Sequence, residues 1–141
     1  MDLGLDAWLD DVSRHANAQV ILLDTNALLW LDAGHRRARP LLSTRAPLFI
    51  SPVTILELEM LRESGRLSRR PGAPASPVGD DRWALDEPPV MPWFEAALEL
   101  AWTRDPLDRL LVAHARVRRW RLATADALIL EHLRESERLE L

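Results

Sequence analysis

The chain of 141 residues contains no cysteine and no lysine. Without cysteine it has neither disulfide bonds nor thiolate metal sites. The absence of lysine excludes every mechanism that needs a catalytic lysine. No apolar run reaches the ~20 residues of a transmembrane helix, and the acidic start, MDLGLDAWLDD, lacks the basic region of a signal peptide. We therefore expect a cytoplasmic protein that has no membrane partner.

The composition is typical of one globular domain. Hydrophobic residues make up 48% and charged residues 28%, which argues against disorder. The net charge of −4 argues against a generic basic nucleic-acid binder. The four histidines have no zinc-binding spacing. Any metal must therefore be bound by oxygen, which favours Mg²⁺ or Mn²⁺.

Strand-like and helix-like segments alternate along the chain, which predicts an α/β fold with a parallel β-sheet flanked by helices. We expect strands at residues 19–23, 47–50, 83–85, 121–124 and 138–141. We expect helices at residues 27–32, 51–64, 94–102, 105–119 and 127–134. Residues 66–92 are rich in proline and predict a long surface excursion. Residues 1–18 form an N-terminal extension, predicted to be helical, before a domain at 19–141.

Four acidic residues lie where a predicted strand meets the next helix: Asp24, Glu57, Asp108 and Asp126. In open parallel sheets these points meet at the carboxyl edge, where ligands bind. Carboxylates that meet there repel one another unless a cation lies among them, and oxygen-only sites suit Mg²⁺. Such an ion can activate a water and neutralise charge on a phosphoryl group. The pattern therefore predicts a metal-dependent site for phosphodiester hydrolysis.

Each acid also has a purely structural interpretation, because acidic side chains commonly cap helix N-termini. Asp105 precedes a proline and needs no other explanation. Asp108 could complete a capping box with it, and Asp126 could cap the last helix. Capping explains one acid at a time, however, and does not explain why four acids fall at one edge of the sheet.

Glu57 could likewise form a capping box with Thr54. Asp24 is harder to explain in this way, because it ends the most apolar strand and is followed by a second polar group, Asn26. Thr124, at the end of another strand, could donate a hydrogen bond to a carboxylate or a phosphate, or could simply finish the strand.

The arginines are candidates for phosphate contact, since clustered guanidinium groups bind phosphates well. A solvated surface explains each cluster equally. Arg104 and Arg109 flank the acidic segment and could contact substrate or form salt bridges. The clusters are residues 36–39, residues 62–70, which include Arg66, and residues 116–121.

Five segments, in order, resemble those of VapC-type PIN-domain ribonucleases, the toxins of bacterial type II toxin–antitoxin pairs. They are LLDTNALLW, SPVTILELEML, GRL, RDPLDRLLVAHA and LATADALI, and the match around them covers roughly residues 19–141. The resemblance implies a single PIN-like domain, an α/β/α sandwich, that hydrolyses RNA with Mg²⁺ or Mn²⁺. It also implies a homodimer that a cognate antitoxin protein inhibits.

The resemblance assigns roles to particular residues. It implies that the four metal-binding and catalytic acids are Asp24, Glu57, Asp108 and Asp126, with Asp105 and Thr124 beside them. From their positions in the sequence, Asn26 is a further candidate beside the acids, and Arg104, Arg109 and Arg66 are candidate RNA contacts. Two features depart from the family pattern. About 18 residues precede the first strand, and the proline-rich stretch at 71–92 leaves the substrate-facing flap undefined.

Three alternatives compete with this interpretation. A receiver-type phosphoryl-transfer domain needs a lysine, which this chain lacks. A haloacid-dehalogenase-like phosphatase needs an aspartate at position 26, where this chain has Asn26. A catalytically silent PIN-like module that binds RNA or protein has no need of the four acids, and all four are present. The target RNA is not specified by any motif.

Overall fold

A computed structural model of the chain describes residues 19–67 and 78–141. The strands are β1 Ile21–Leu23, β2 Leu48–Ile50, β3 Ala84–Leu85, β4 Arg121–Thr124 and β5 Arg138–Glu140. The α-helices are α1 Thr25–Ala33, α2 Arg39–Leu42, α3 Pro52–Glu63, α4 Val90–Leu98, α5 Pro106–Arg118 and α6 Ala127–His132, with 3₁₀ turns at Arg36–Ala38 and Glu135–Glu137. The helix predicted within residues 1–18 and part of the proline-rich excursion lie outside the described residues.

The five strands form one parallel sheet in the order β3-β2-β1-β4-β5. The chain moves outward from β1 to β3, then crosses back to β4 on the other side of β1. Right-handed crossovers that run in opposite directions place their helices on opposite faces of the sheet. The point between β1 and β4, where the order reverses, is where open α/β sheets bind ligands. The predicted parallel α/β fold is confirmed.

Side chains that alternate along the short strands supply two separate cores. Leu22 and Leu122 pack with helices α4, α5 and α6 on one face. Ile21, Leu23 and Ala123 pack with α1 and α2 on the other face, and α3 contributes to both cores. Because both faces of the sheet are covered, its central strands read as continuous apolar runs. This is the α/β/α arrangement, and no helix in the described part of the chain is long and apolar enough to cross a membrane.

The predicted boundaries of α4 were wrong. The helix was expected at 94–102 and lies at Val90–Leu98. Pro92 falls in its first turn, where the missing N–H would have no helical partner in any case, so the helix begins before the proline. The last helix is also shorter than predicted, because Leu133 has an extended backbone and ends α6 at His132.

Candidate active site

A row of polar residues lies at the carboxyl edge of the sheet. Continuing the strand register by one residue places Asp24 between Ser51 and Thr124, and places Asp86 beside Ser51. The backbone N–H groups of Asp24 and Asp86 extend the ladder, donating to carbonyls of the neighbouring strands at 3.1 and 3.0 Å. Residues in one row of a parallel sheet share a face. The alternation from Leu22 places this carboxyl-end row (Asp86, Ser51, Asp24, Thr124) on the face covered by α5.

Asp24 is the buried member of the predicted acidic set, with only 7% of its surface exposed. Its Oδ1 accepts a hydrogen bond from the Ala27 N–H at 2.6 Å and caps α1. Burial raises the pKa of Asp24 to about 6. Hydrogen bonds from Thr124 and Ala27 oppose this shift, and the negative charges of Glu57 and Asp126 add to it. The site therefore disfavours the Asp24 carboxylate unless a positive charge lies near it.

Asp108 lies in the first turn of α5 and is partly exposed. The pKa of its carboxyl group reflects the charges of the other acids near it. Burial raises the pKa of Asp108 to about 6. The charges of Asp105, Asp126, Glu57 and Asp24 raise it further, in that order. The structure thus brings Asp24, Glu57, Asp126 and Asp105 within electrostatic reach of Asp108. They lie at the switch point between β1 and β4.

Glu57 is oriented by a residue that sequence reasoning missed. The Thr25 hydroxyl, buried in the first turn of α1, donates to Glu57 Oε2 at 2.5 Å. The capping box between Thr54 and Glu57, the structural alternative for this acid, is not formed, because Ser51 caps α3. The buried Thr54 hydroxyl has no hydrogen-bond partner among the described residues. Thr25 and Glu57 are 32 positions apart, and no local pattern relates them.

Asp105 and Asp126 act as helix caps, as their structural interpretation predicted. Asp105 Oδ1 accepts from two backbone N–H groups of α5 at 2.9 and 3.3 Å. Asp126 Oδ1 accepts from the Ile129 N–H at 3.1 Å. The Thr124 hydroxyl accepts from the Asp126 N–H at 3.1 Å, so it joins this acid to Asp24. Each cap uses Oδ1, and no hydrogen bond from the described residues reaches Oδ2 of either acid.

The remaining predicted residues lie around this cluster or beyond it. Asn26 is exposed on the first turn of α1, and Arg104 is exposed just before α5. Arg109 is half-buried, and its Nε donates to the Thr103 carbonyl at 2.7 Å. Arg66 is exposed beyond the end of α3. The structure therefore places Arg104 and Arg109 beside the acidic segment and Arg66 beyond the far end of α3.

The acids suit a hard divalent cation by their chemistry. Within residues 19–67 and 78–141, no three acidic or histidine side chains are arranged to hold an ion directly. Mg²⁺, however, keeps several waters and is commonly bound through one or two carboxylates. The cluster offers oxygen ligands alone, and a cation would offset both the burial and the repulsion that raise the pKa values of Asp24 and Asp108. The residues present thus fit Mg²⁺ or Mn²⁺.

The fold and the cluster can be compared with known proteins. A sequence model of the PIN domain matches residues 21–134. The chain belongs to the PIN domain family. PIN domains are typically nucleases, which act on RNA or DNA and generally use divalent metal ions. No curated protein and no solved structure matches this chain.

The buried charge of Asp24 predicts how the stability of this PIN domain depends on pH. The folded-state pKa of about 6 lies above the unfolded value of about 3.9, so the resulting stabilisation is complete below about pH 4 and is lost as pH rises through 6. Asp24→Asn keeps a capping side chain without the charge. In EDTA at pH 8 we expect it to be more stable than the wild type by about 1–3 kcal/mol in urea unfolding, with little difference near pH 4.

Asp81→Asn is the matched control, because Asp81 is an exposed acid outside the cluster. It should leave the free energy of unfolding unchanged at both pH values. Equal stabilities of wild type and Asp24→Asn at pH 8 would show that the Asp24 carboxylate is not strained.

Proposed function

We propose that this PIN domain is a Mg²⁺- or Mn²⁺-dependent endoribonuclease that hydrolyses RNA phosphodiester bonds and acts as a VapC-type toxin. The observation that carries the proposal lies at the switch point of the sheet, where burial raises the pKa of both Asp24 and Asp108 and the charges of Glu57 and Asp126 raise both further. The resemblance of the segments around these acids to VapC-type ribonucleases supports RNA as the substrate.

Asp24 and Asp108 are the proposed principal metal ligands, with Glu57 and Asp126 completing the site. When bound, the ion supplies an activated water and neutralises charge on the phosphoryl group. The protein holds the carboxylates in place through hydroxyl groups. Thr25 donates to Glu57 at 2.5 Å, and Thr124 hydrogen-bonds Asp24. Below pH 6, protons compete with the ion for Asp24 and Asp108, which weakens binding.

Arginines near the acids are the proposed contacts for the RNA backbone. A chain with a net charge of −4 needs local cations to hold a polyanion near a cluster of carboxylates. Arg104 and Arg109 lie at the start of α5, next to Asp105 and Asp108. The bond to the Thr103 carbonyl uses Nε of Arg109 and fixes its side chain in this region. Arg66, beyond α3, is a more distant candidate.

A catalytically silent PIN-like module that binds RNA or protein is the second candidate. One observation favours it. No three acidic or histidine side chains in the described part of the chain are already arranged around a common ion position. A protein of this kind would bind RNA without cutting it, and its binding would not depend on a divalent ion.

The ribonuclease proposal predicts metal-dependent cleavage. Purified protein with Mg²⁺ or Mn²⁺ should cut single-stranded or structured RNA, and EDTA should abolish the cutting. Asp24→Asn and Asp108→Asn should each lower kcat/KM by about 100-fold or more, because changing even the partners of metal ligands costs 10–100-fold. Labelled RNA resolved on gels, with single-stranded DNA in parallel, provides the measurement.

Asp81→Asn again serves as the control and should cleave like the wild type. Cleavage that persists in EDTA or in Asp24→Asn would refute the mechanism. RNA binding without any cleavage under all metal conditions would favour the silent module.

Homodimer formation is a separate part of the proposal. One face of α4 and its flank expose large apolar side chains, including Phe94 and Leu98, the latter 75% exposed. Contiguous exposed apolar surface commonly marks a protein interface. We expect a dimer in sedimentation equilibrium and a shift towards monomer in Leu98→Glu. The control Leu128→Glu changes an exposed leucine on α6. A monomeric wild type, or equal dimerisation of both variants, would contradict the α4 interface.

The toxin role requires a cognate antitoxin, and the acidic cluster suggests how one could inhibit the enzyme. An arginine side chain could enter in place of the cation and bind the carboxylates bidentately. Expression of the wild type should arrest bacterial growth, whereas Asp24→Asn should not. Co-expression of a small neighbouring reading frame should restore growth. If the wild type and Asp24→Asn affect growth equally, the toxin role is wrong, whatever the outcome of the cleavage assay.

A further inference from the structure

His114, in the middle of α5, is fully buried and hydrogen-bonded through both ring nitrogens. Its Nδ1 lies 2.9 Å from Ser51 Oγ, and its Nε2 lies 2.7 Å from Asp86 Oδ2. Arg118, one turn further along α5, donates to both oxygens of the same carboxylate at 2.9 and 3.0 Å. We refer to Ser51, Asp86, His114 and Arg118 as the His114 network. It joins the ends of β2 and β3 to α5.

The hydrogen-bond partners define the state of the ring. The Asp86 carboxylate can only accept, so Nε2 carries the hydrogen that it receives. Nδ1 of the neutral ring then accepts from the Ser51 hydroxyl, whose oxygen in turn accepts from the Val53 N–H at 3.3 Å. Burial lowers the pKa of His114, which is consistent with this neutral ring. Every polar group in the chain of bonds has a partner.

A serine, a histidine and an aspartate in one hydrogen-bonded chain suggest a hydrolase triad, but this arrangement does not work as one. The side chain of a nucleophilic serine must reach the substrate. Ser51 is fully buried, and its hydroxyl is occupied by His114 and by the cap of α3. The network therefore connects α5 to the ends of β2 and β3, and Ser51 does not act as a nucleophile.

The position of the network relates it to the acidic cluster. Ser51 and Asp86 belong to the carboxyl-end row, whose other members are Asp24 and Thr124. On α5, Asp108 lies within electrostatic reach of Asp24, which is in one half of this row. His114, further along the same helix, contacts Ser51 and Asp86 in the other half. Six helical residues span about 9 Å, close to two strand spacings of about 4.8 Å each. One helix thus carries both contacts across the row.

We infer that the His114 network positions the proposed metal site. By anchoring α5 to Ser51 and Asp86, His114 fixes where Asp108 stands relative to Asp24. Ser51 also begins α3, which carries Glu57 about two turns later. His114 is thus a positioning residue that touches neither ion nor substrate. The inference rests on the proposed metal-dependent function, and it extends the proposed site to the residues of the His114 network.

Two substitutions of His114 separate the two halves of the network. The amide of His114→Asn lies near the former Nδ1 and can keep the bond to Ser51. The amide of His114→Gln lies near the former Nε2 and can keep the bond to Asp86. Ser51→Ala removes the first link from its other end. Ser64→Ala, at the exposed end of α3, and His132→Gln, on α6, are matched controls.

The decisive measurements are the affinity for Mn²⁺ by calorimetry without RNA, and kcat and KM for RNA cleavage, corrected for the folded fraction from urea unfolding. We expect Ser51→Ala and both His114 variants to bind Mn²⁺ about 10-fold or more weaker and to lose kcat with little change in KM. The loss should be larger in His114→Leu, which keeps neither bond. The two controls should match the wild type.

A purely structural histidine would lower stability and leave the Mn²⁺ affinity and kcat of the folded fraction unchanged, which would overturn the inference. If the wild type binds Mn²⁺ but cuts no RNA, the proposed ribonuclease function fails, and the affinity comparison still decides the positioning role. A wild type that binds no Mn²⁺ removes the metal site and refutes both proposals. If His114→Leu does not fold, the milder variants carry the test.

Discussion

The burial of carboxylates close to one another, at one edge of the sheet, is the constraint on which the candidate site depends. Asp24 ends the central strand in a buried position, and Asp108 approaches it from α5. A buried, unpaired carboxylate is costly, and a second negative charge nearby increases the cost. These carboxylates lie at the point where the strand order reverses, which is also where open α/β sheets bind ligands. Strain of this kind is expected at a functional site.

The acidic side chains that cap helix N-termini are the same ones that are held at the carboxyl edge of the sheet. Asp24, Asp105 and Asp126 each satisfy backbone N–H groups that a helix would otherwise leave without partners. Each cap also holds a carboxylate at the edge of the sheet. The hydroxyls of Thr25 and Thr124 fix two of the acids from the side. A structural role for an acid is therefore compatible with ion binding.

Much of the fold could be predicted because local chemistry encodes it. Ser51 and Asp105, each followed by proline, mark two helix starts, and the apolar runs mark the central strands. That the four acids lie near one another could be predicted, because parallel topology brings the ends of strands to one edge. The boundaries of α4 could not be found, because Pro92 in a first turn looks the same in sequence as a proline that ends a helix.

Long-range side-chain pairs were beyond the reach of sequence reasoning. The hydroxyl of Thr25 meets Glu57 across 32 positions, and Ser51 meets His114 across 63. Asp86 did carry a signal, since it follows a strand directly, as Asp24 does. That signal was hidden inside the proline-rich stretch, where only a short strand was expected.

The most direct test of the central claim is a crystal structure at pH 8 with Mn²⁺, in which anomalous scattering locates the ion independently of the protein atoms. We expect an anomalous peak at the switch point between β1 and β4, with oxygen atoms of Asp24 and Asp108 among the ligands of the ion. No peak there at saturating Mn²⁺, or an ion bound elsewhere while these carboxylates stay unliganded, would contradict the claim that the acids form a cation site.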